Sequence, residues 1–84
     1  MERPYIVRHG PYLLIGSEWR VFCLDARLAL RWCWSTTVRK PEQWLLDRAP
    51  VVEGDQVLIQ LIFIEREAEV RLRLHDALDL TPER

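Results

Sequence analysis

The chain has 84 residues, of which 49% are hydrophobic and 30% charged, and its formal net charge is −1. These ordinary globular values argue against intrinsic disorder and a coiled coil, and the length fits a single domain spanning residues 1–84. The charge is unevenly divided. Residues 1–40 carry seven basic and three acidic side chains (+4), and residues 41–84 carry five and ten (−5).

The N-terminal part predicts two short strands joined by a turn. Residues 5–7 and 12–15 are β-prone runs, and Gly10-Pro11 between them are turn residues.

Residues 17–40 contain neither glycine nor proline and fit two interpretations. Ser17 is a suitable N-cap, and Leu24, Leu28 and Trp32 recur at four-residue steps, which predicts a helix. The even positions from 26 to 34 are all apolar, which is the alternation of a strand. Because local propensity favours the helix, we predict a helix over residues 18–31 and an extended segment over 32–38.

The second half predicts a short helix and a β-hairpin. Pro41 suits the first helical position, and Ala49-Pro50 ends a helix of about two turns. Strands are predicted at residues 56–64 and 67–75, and a turn at residues 65–66 pairs Leu61 with Val70.

Together these elements predict a small α+β domain. It contains an antiparallel sheet of about four strands, one longer helix and one short helix. A mostly-β small sandwich or barrel is the alternative, and it follows if residues 26–34 form a strand.

Catalysis is not expected. Arg8-His9-Gly10 resembles the signature of the histidine phosphatase superfamily, which implies a nucleophilic His9 beside a phosphate-binding Arg8. The resemblance spans residues 5–10 only, Pro11 departs from the pattern, and the family's domain is longer and needs a further arginine and histidine in the same pocket. Cysteine and histidine spacing matches no zinc motif, so no metal or cofactor is predicted.

Arginine and tryptophan point to a binding surface. Eleven of the twelve basic residues are arginine, and three of the four tryptophans lie in the basic half. Both residue types are enriched at the centres of protein interfaces. The predicted partner-binding residues are Arg20, Arg27, Arg31, Trp32, Trp34, Arg39 and Lys40. Two alternatives remain open: the tryptophans form the core, or the same residues bind nucleic acid.

Self-association as a homodimer is a second expectation. Leu58, Ile62 and Ile64 lie on the strand face opposite the predicted core, where they are too apolar for open water. No apolar run reaches the roughly 18–20 residues of a membrane span, and the N-terminus lacks the layout of a signal peptide. We therefore expect no membrane contact and a cytoplasmic protein.

The predicted function is that of a small, non-catalytic intracellular regulatory protein. It acts through a protein–protein interface, as phage or mobile-element inhibitors of host proteins do. A nucleic-acid-binding module that uses the basic half is the alternative.

Overall fold

The structure is a computed structural model that describes residues 4–38 and 44–82. Within these residues there are two antiparallel sheets and no α-helix. The strands are β1 (Tyr5–His9), β2 (Tyr12–Gly16), β3 (Arg20–Leu24), β4 (Leu30–Ser35), β5 (Leu45–Leu46), β6 (Val51–Glu53), β7 (Gln56–Phe63) and β8 (Arg66–Arg73). The predicted α+β class is wrong. The alternative, a mostly-β domain, agrees with the observed class.

The first sheet has the order β1-β2-β3-β4, so each strand pairs with the next one in the chain. The two predicted N-terminal strands and the turn between them are confirmed, with His9 opposite Tyr12 and Gly10 at a φ of 57°. Glycine suits this turn because it adopts positive φ without steric cost.

The predicted helix over residues 18–31 is instead the β3–β4 hairpin. Val21 pairs with Trp34 and Cys23 with Trp32, and all four side chains are buried. Leu24 and Trp32 of the predicted helix lie in the two strands, and Leu28 lies in the loop between them. In this loop, Asp25 Oδ1 accepts hydrogen bonds from the backbone N–H groups of Arg27 (2.8 Å) and Ala29 (3.0 Å). Burial of one face of each strand therefore outweighs the local helix propensity.

The predicted short helix is also wrong where the structure describes it. Residues 41–43, its first turn, lie outside the described residues. Leu45 and Leu46 form β5, which pairs with Ile62 and Leu61. The N–H group of Leu46 donates to the carbonyl of Glu18 (2.7 Å), and this bond to a distant loop replaces a bond within a helix.

The second sheet is built around β7. Strand β8 pairs with β7 along its whole length, so β5 and β6 share the other edge of β7. Leu46 lies opposite Leu61 and Val51 opposite Leu58. From Leu46 to Val51 the chain advances five residues, whereas the paired stretch of β7, from Leu61 to Leu58, advances three. Two residues of the segment 47–50 therefore bulge out of the pairing.

The β7–β8 hairpin has a different register from the predicted one. Phe63 pairs with Arg66, and Leu61 pairs with Ala68 instead of Val70. The turn therefore consists of Ile64 and Glu65. A shift of two residues leaves every side chain on its predicted face, because side chains alternate with a period of two.

The inner faces of the two sheets form one hydrophobic cluster. From the first sheet it contains Leu14, Val21, Cys23, Trp32 and Trp34, and from residues 44–74 it contains Trp44, Leu46, Val57, Ile59, Leu61, Val70, Leu72 and Leu74. The indole N–H of Trp32 donates to the carbonyl of Leu74 (2.8 Å), which ties the sheets together at one end. Among the described residues, no helix has the length and apolar character needed to cross a membrane.

Candidate protein-binding surface

The outer face of the first sheet is largely apolar. Side chains that alternate with the buried ones form two rows across its four strands. We call this surface the apolar face, and its side chains, row by row, are Ile6, Ile15, Phe22 and Cys33, then Leu13, Leu24 and Leu30.

No described part of the chain covers the apolar face. Ile6 and Leu30, on the two edge strands, are 65% and 59% exposed, and the outward-facing residues of the two central strands are half-buried. The solvated face of an antiparallel sheet normally carries polar side chains. Because uncovered apolar faces of this kind are typical of interaction surfaces, this face is the candidate site.

The sequence reasoning missed the apolar face, although it contained a signal for it. Residues 12–15 and 21–24 are apolar at both odd and even positions. Such continuous apolar runs are typical of strands that are covered on both faces.

Three arginines lie at the margin of the apolar face. Arg8 lies in the second row, in register with Leu13, and Arg20 lies two pairs beyond Phe22, on the same side of the sheet. The guanidinium of Arg20 stacks on the Trp19 ring, 4.1 Å from its centroid. Arg27 is exposed in the β3–β4 loop beside one end of the face.

A small cavity opens beside Arg8. It has a volume of about 100 Å³ and lies between the β1–β2 turn and the β3–β4 loop. Its lining includes Arg8, Leu13, Asp25 and Leu28. Since Leu13 belongs to the apolar face, the cavity continues that surface and is large enough for one small side chain.

The predicted partner-binding residues separate into different places. Trp32 and Trp34 are 8% and 4% exposed and belong to the core, so they are not part of the surface. Arg20 and Arg27 are exposed near the apolar face. Arg39 and Lys40 lie outside the described residues.

Arg31 lies on the inner side of the first sheet because of a β-bulge. The register shifts between Cys23 and Leu24, which leaves Arg31 as the extra residue of β4. Its Nη2 atom donates to His75 Nδ1 (3.2 Å) and to the His75 carbonyl (3.4 Å). Arg31 is therefore a tie between the two sheets, next to the bond from Trp32.

The predicted self-association residues lie on the second sheet. Leu58 and Ile62 are half-buried on its outer face, where β8 places Arg71 and Glu67 opposite them. Ile64 is 78% exposed in the hairpin turn with a φ of 57°. This outer face mixes aliphatic and charged side chains, in contrast to the apolar face.

Ion pairs between described residues all lie in the acidic half. Arg71 Nε contacts Glu69 Oε1 at 3.0 Å, and Arg73 binds Asp76 through two hydrogen bonds. The hydrogen bond from Arg73 holds the pKa of Asp76 well below its usual range. Within residues 4–38 and 44–82, no arginine of the basic half forms an ion pair with a carboxylate.

The two cysteines lie on opposite faces of the first sheet. Cys33 is exposed in the apolar face, and Cys23 is buried in the core, where burial raises the pKa of its thiol. Opposite side-chain directions place the two sulfur atoms on different sides of the sheet. Cys33 is consequently the accessible thiol within the described part of the chain.

The structure describes both histidines of the chain. His9 is exposed at the end of β1, and His75, which follows β8, accepts a hydrogen bond from Arg31. The described residues contain no group of three His, Cys, Asp or Glu side chains placed to hold a metal ion.

Comparisons of the chain with protein-family models, with curated proteins and with solved structures found no match.

Proposed function

We propose that this chain is a small, non-catalytic regulatory protein that binds another protein through the apolar face. The observation that carries the proposal is the row of Ile6, Ile15, Phe22 and Cys33, which crosses all four strands without cover from the described residues. Covering such a surface with a partner contributes favourable free energy in proportion to the apolar area removed from water.

A protein partner is favoured over nucleic acid. Single strands bind by stacking their bases on exposed aromatic rings. Trp32 and Trp34, the rings that the sequence suggested for this role, are buried. The margin of the apolar face is basic, but its centre is apolar and uncharged and suits a protein surface better than a phosphate backbone.

We also propose that the protein acts inside the cell. An exposed free thiol such as Cys33 persists in a reducing compartment, whereas oxidising compartments convert accessible thiols to disulfides. Cys23 is not a partner for it, since the two side chains lie on opposite faces of the sheet.

Cys33 supplies the attachment point for the test. A thiol-reactive benzophenone coupled to Cys33 places a photo-crosslinker in the apolar face, while buried Cys23 does not react. Irradiation in a lysate of the source cells is expected to give one dominant crosslinked protein.

Two variants decide whether the face is responsible. Replacing Ile6 and Leu30 by Gln removes exposed apolar surface from the face, and the matched control replaces Val51, which is 47% exposed on the second sheet, by Gln. The crosslink should be lost in the first variant and kept in the second, with both proteins folded by circular dichroism. A crosslink that survives in the Ile6/Leu30 variant refutes the proposal.

A further inference from the structure

The charges around the apolar face indicate the chemistry of its partner. We propose that the partner presents an aliphatic surface bordered by Asp or Glu side chains, and that one of these carboxylates binds Arg8 in the adjoining cavity. This inference rests on the proposed function, because it specifies what the apolar face binds.

The charged side chains on the strands of the apolar face are all basic. Its strand positions contribute arginine (Arg8 and Arg20) and no carboxylate. Neither arginine forms an ion pair with a described carboxylate. Both guanidinium groups are therefore available to a carboxylate from outside, for which their forked donors are well suited.

The cavity beside Arg8 also contains a carboxylate of this chain. Asp25 also lines the cavity, but its Oδ1 atom accepts the N–H groups of Arg27 and Ala29 and closes the β3–β4 loop. The loop thus fixes the position of Asp25 in a structural role. Arg8 lines the same cavity, and Leu13 and Leu28 supply apolar lining for the aliphatic stem of a partner's acidic side chain.

The apolar face of a second copy of this chain would not complement the charges of the first copy's apolar face. Two apolar faces packed on each other would bring arginines to the margin from both sides, and the strand positions would supply no carboxylate. Complementary charge across an interface is what selects the correct partner and excludes like-charged ones. The observations consequently favour a different, acidic protein surface.

The test uses a random peptide library displayed on yeast. Peptides are selected on the wild-type chain, and those that also bind the Ile6→Gln/Leu30→Gln variant are removed. We expect the remaining, face-dependent peptides to be enriched in Asp and Glu together with Ile, Leu and Val. Enrichment in Lys and Arg, or no bias in charge, overturns the inference while leaving the proposed function in place.

The role of Arg8 is tested with a matched pair of variants. Arg8→Gln should weaken binding of the enriched peptides about fivefold at low salt, near the upper range for an exposed ion pair, and less at high salt. Arg48→Gln changes the net charge equally on the second sheet and should have no effect. Equal weakening by both variants overturns the assignment to Arg8.

Three further outcomes count against the inference. Sedimentation of the protein alone that shows a dimer, lost in the Ile6→Gln/Leu30→Gln variant, makes a second copy the occupant. Salt-sensitive binding of a single-stranded oligonucleotide, lost in the same variant, makes it nucleic acid. If no peptide depends on the face, both the inference and the proposed function fail.

Discussion

Replacing Trp32 and Trp34 separately by Phe measures the hydrogen bond that joins the two sheets. Both indoles are buried on the same face of β4, so the loss of ring volume is similar in the two variants. Only the indole N–H of Trp32 has a described acceptor, the carbonyl of Leu74 at 2.8 Å. The buried Trp34 Nε1 has no hydrogen-bond partner within the described residues.

The two substitutions should therefore differ in cost. Trp32→Phe removes a buried hydrogen bond and leaves the Leu74 carbonyl without its donor, a penalty of about 1–3 kcal/mol beyond the lost packing. Trp34→Phe loses packing but also removes a buried N–H group that forms no hydrogen bond with described residues. Trp32→Phe should consequently be the less stable variant by about 1–3 kcal/mol.

Urea unfolding followed by far-UV circular dichroism provides the measurement, because tryptophan fluorescence changes with the substitutions themselves. If thermal unfolding is used instead, each kcal/mol of difference in the free energy of unfolding should shift Tm by roughly 4–8 °C for a domain of this size. Both variants should bind the face-dependent peptides from the display selection as tightly as the wild-type protein does, since neither tryptophan lies on the apolar face. Equal stabilities, or a less stable Trp34→Phe, would refute the reasoning.

Three other predictions concern the hairpin turn, the acidic half and the thiols. Ile64→Gly should raise Tm, because the left-handed backbone conformation of Ile64 costs an L-residue about 1–2 kcal/mol and costs glycine nothing comparable. Glu65→Gly is the control and should lower Tm, because Glu65 has an ordinary negative φ. Asp76 has a lowered pKa in the folded state, so its contribution to stability is present above the unfolded pKa of about 4 and lost as the pH falls below it. Asp76→Asn should therefore flatten the decline of Tm in this acidic range, and an unchanged slope would contradict the assignment. Iodoacetamide should add one label to the native protein, at Cys33, and a second at Cys23 only in denaturant, as counted by mass spectrometry.

The β7–β8 hairpin was the best predicted element. Its alternation placed Val57, Ile59 and Leu61 in the core, and all three are fully buried. The register was wrong by two positions, because the pattern of apolar residues is unchanged by an even shift. The turn at Ile64 was not predictable, since β-branched residues rarely adopt a positive φ.

The candidate surface was harder to predict than the fold. Arginines at its margin, Arg20 and Arg27, were identified from composition, but the apolar residues at its centre were not. Trp32 and Trp34 drew attention because tryptophan is common in interfaces, yet an indole serves equally well in a core. Residue type alone does not distinguish these two environments.

By itself, the sequence determined the alternation of side chains in β7 and β8, the N-terminal hairpin and the unequal division of charge. Only the tertiary structure decided that residues 20–24 and 30–35 form strands. Helix propensities differ by at most about 0.7 kcal/mol per ordinary residue, whereas burying a large apolar side chain contributes about 1.5–3 kcal/mol. The first sheet is apolar on both faces, and either could have met the second sheet. Packing placed the face with Trp32 and Trp34 in the core and left the face with Ile15 and Phe22 on the outside.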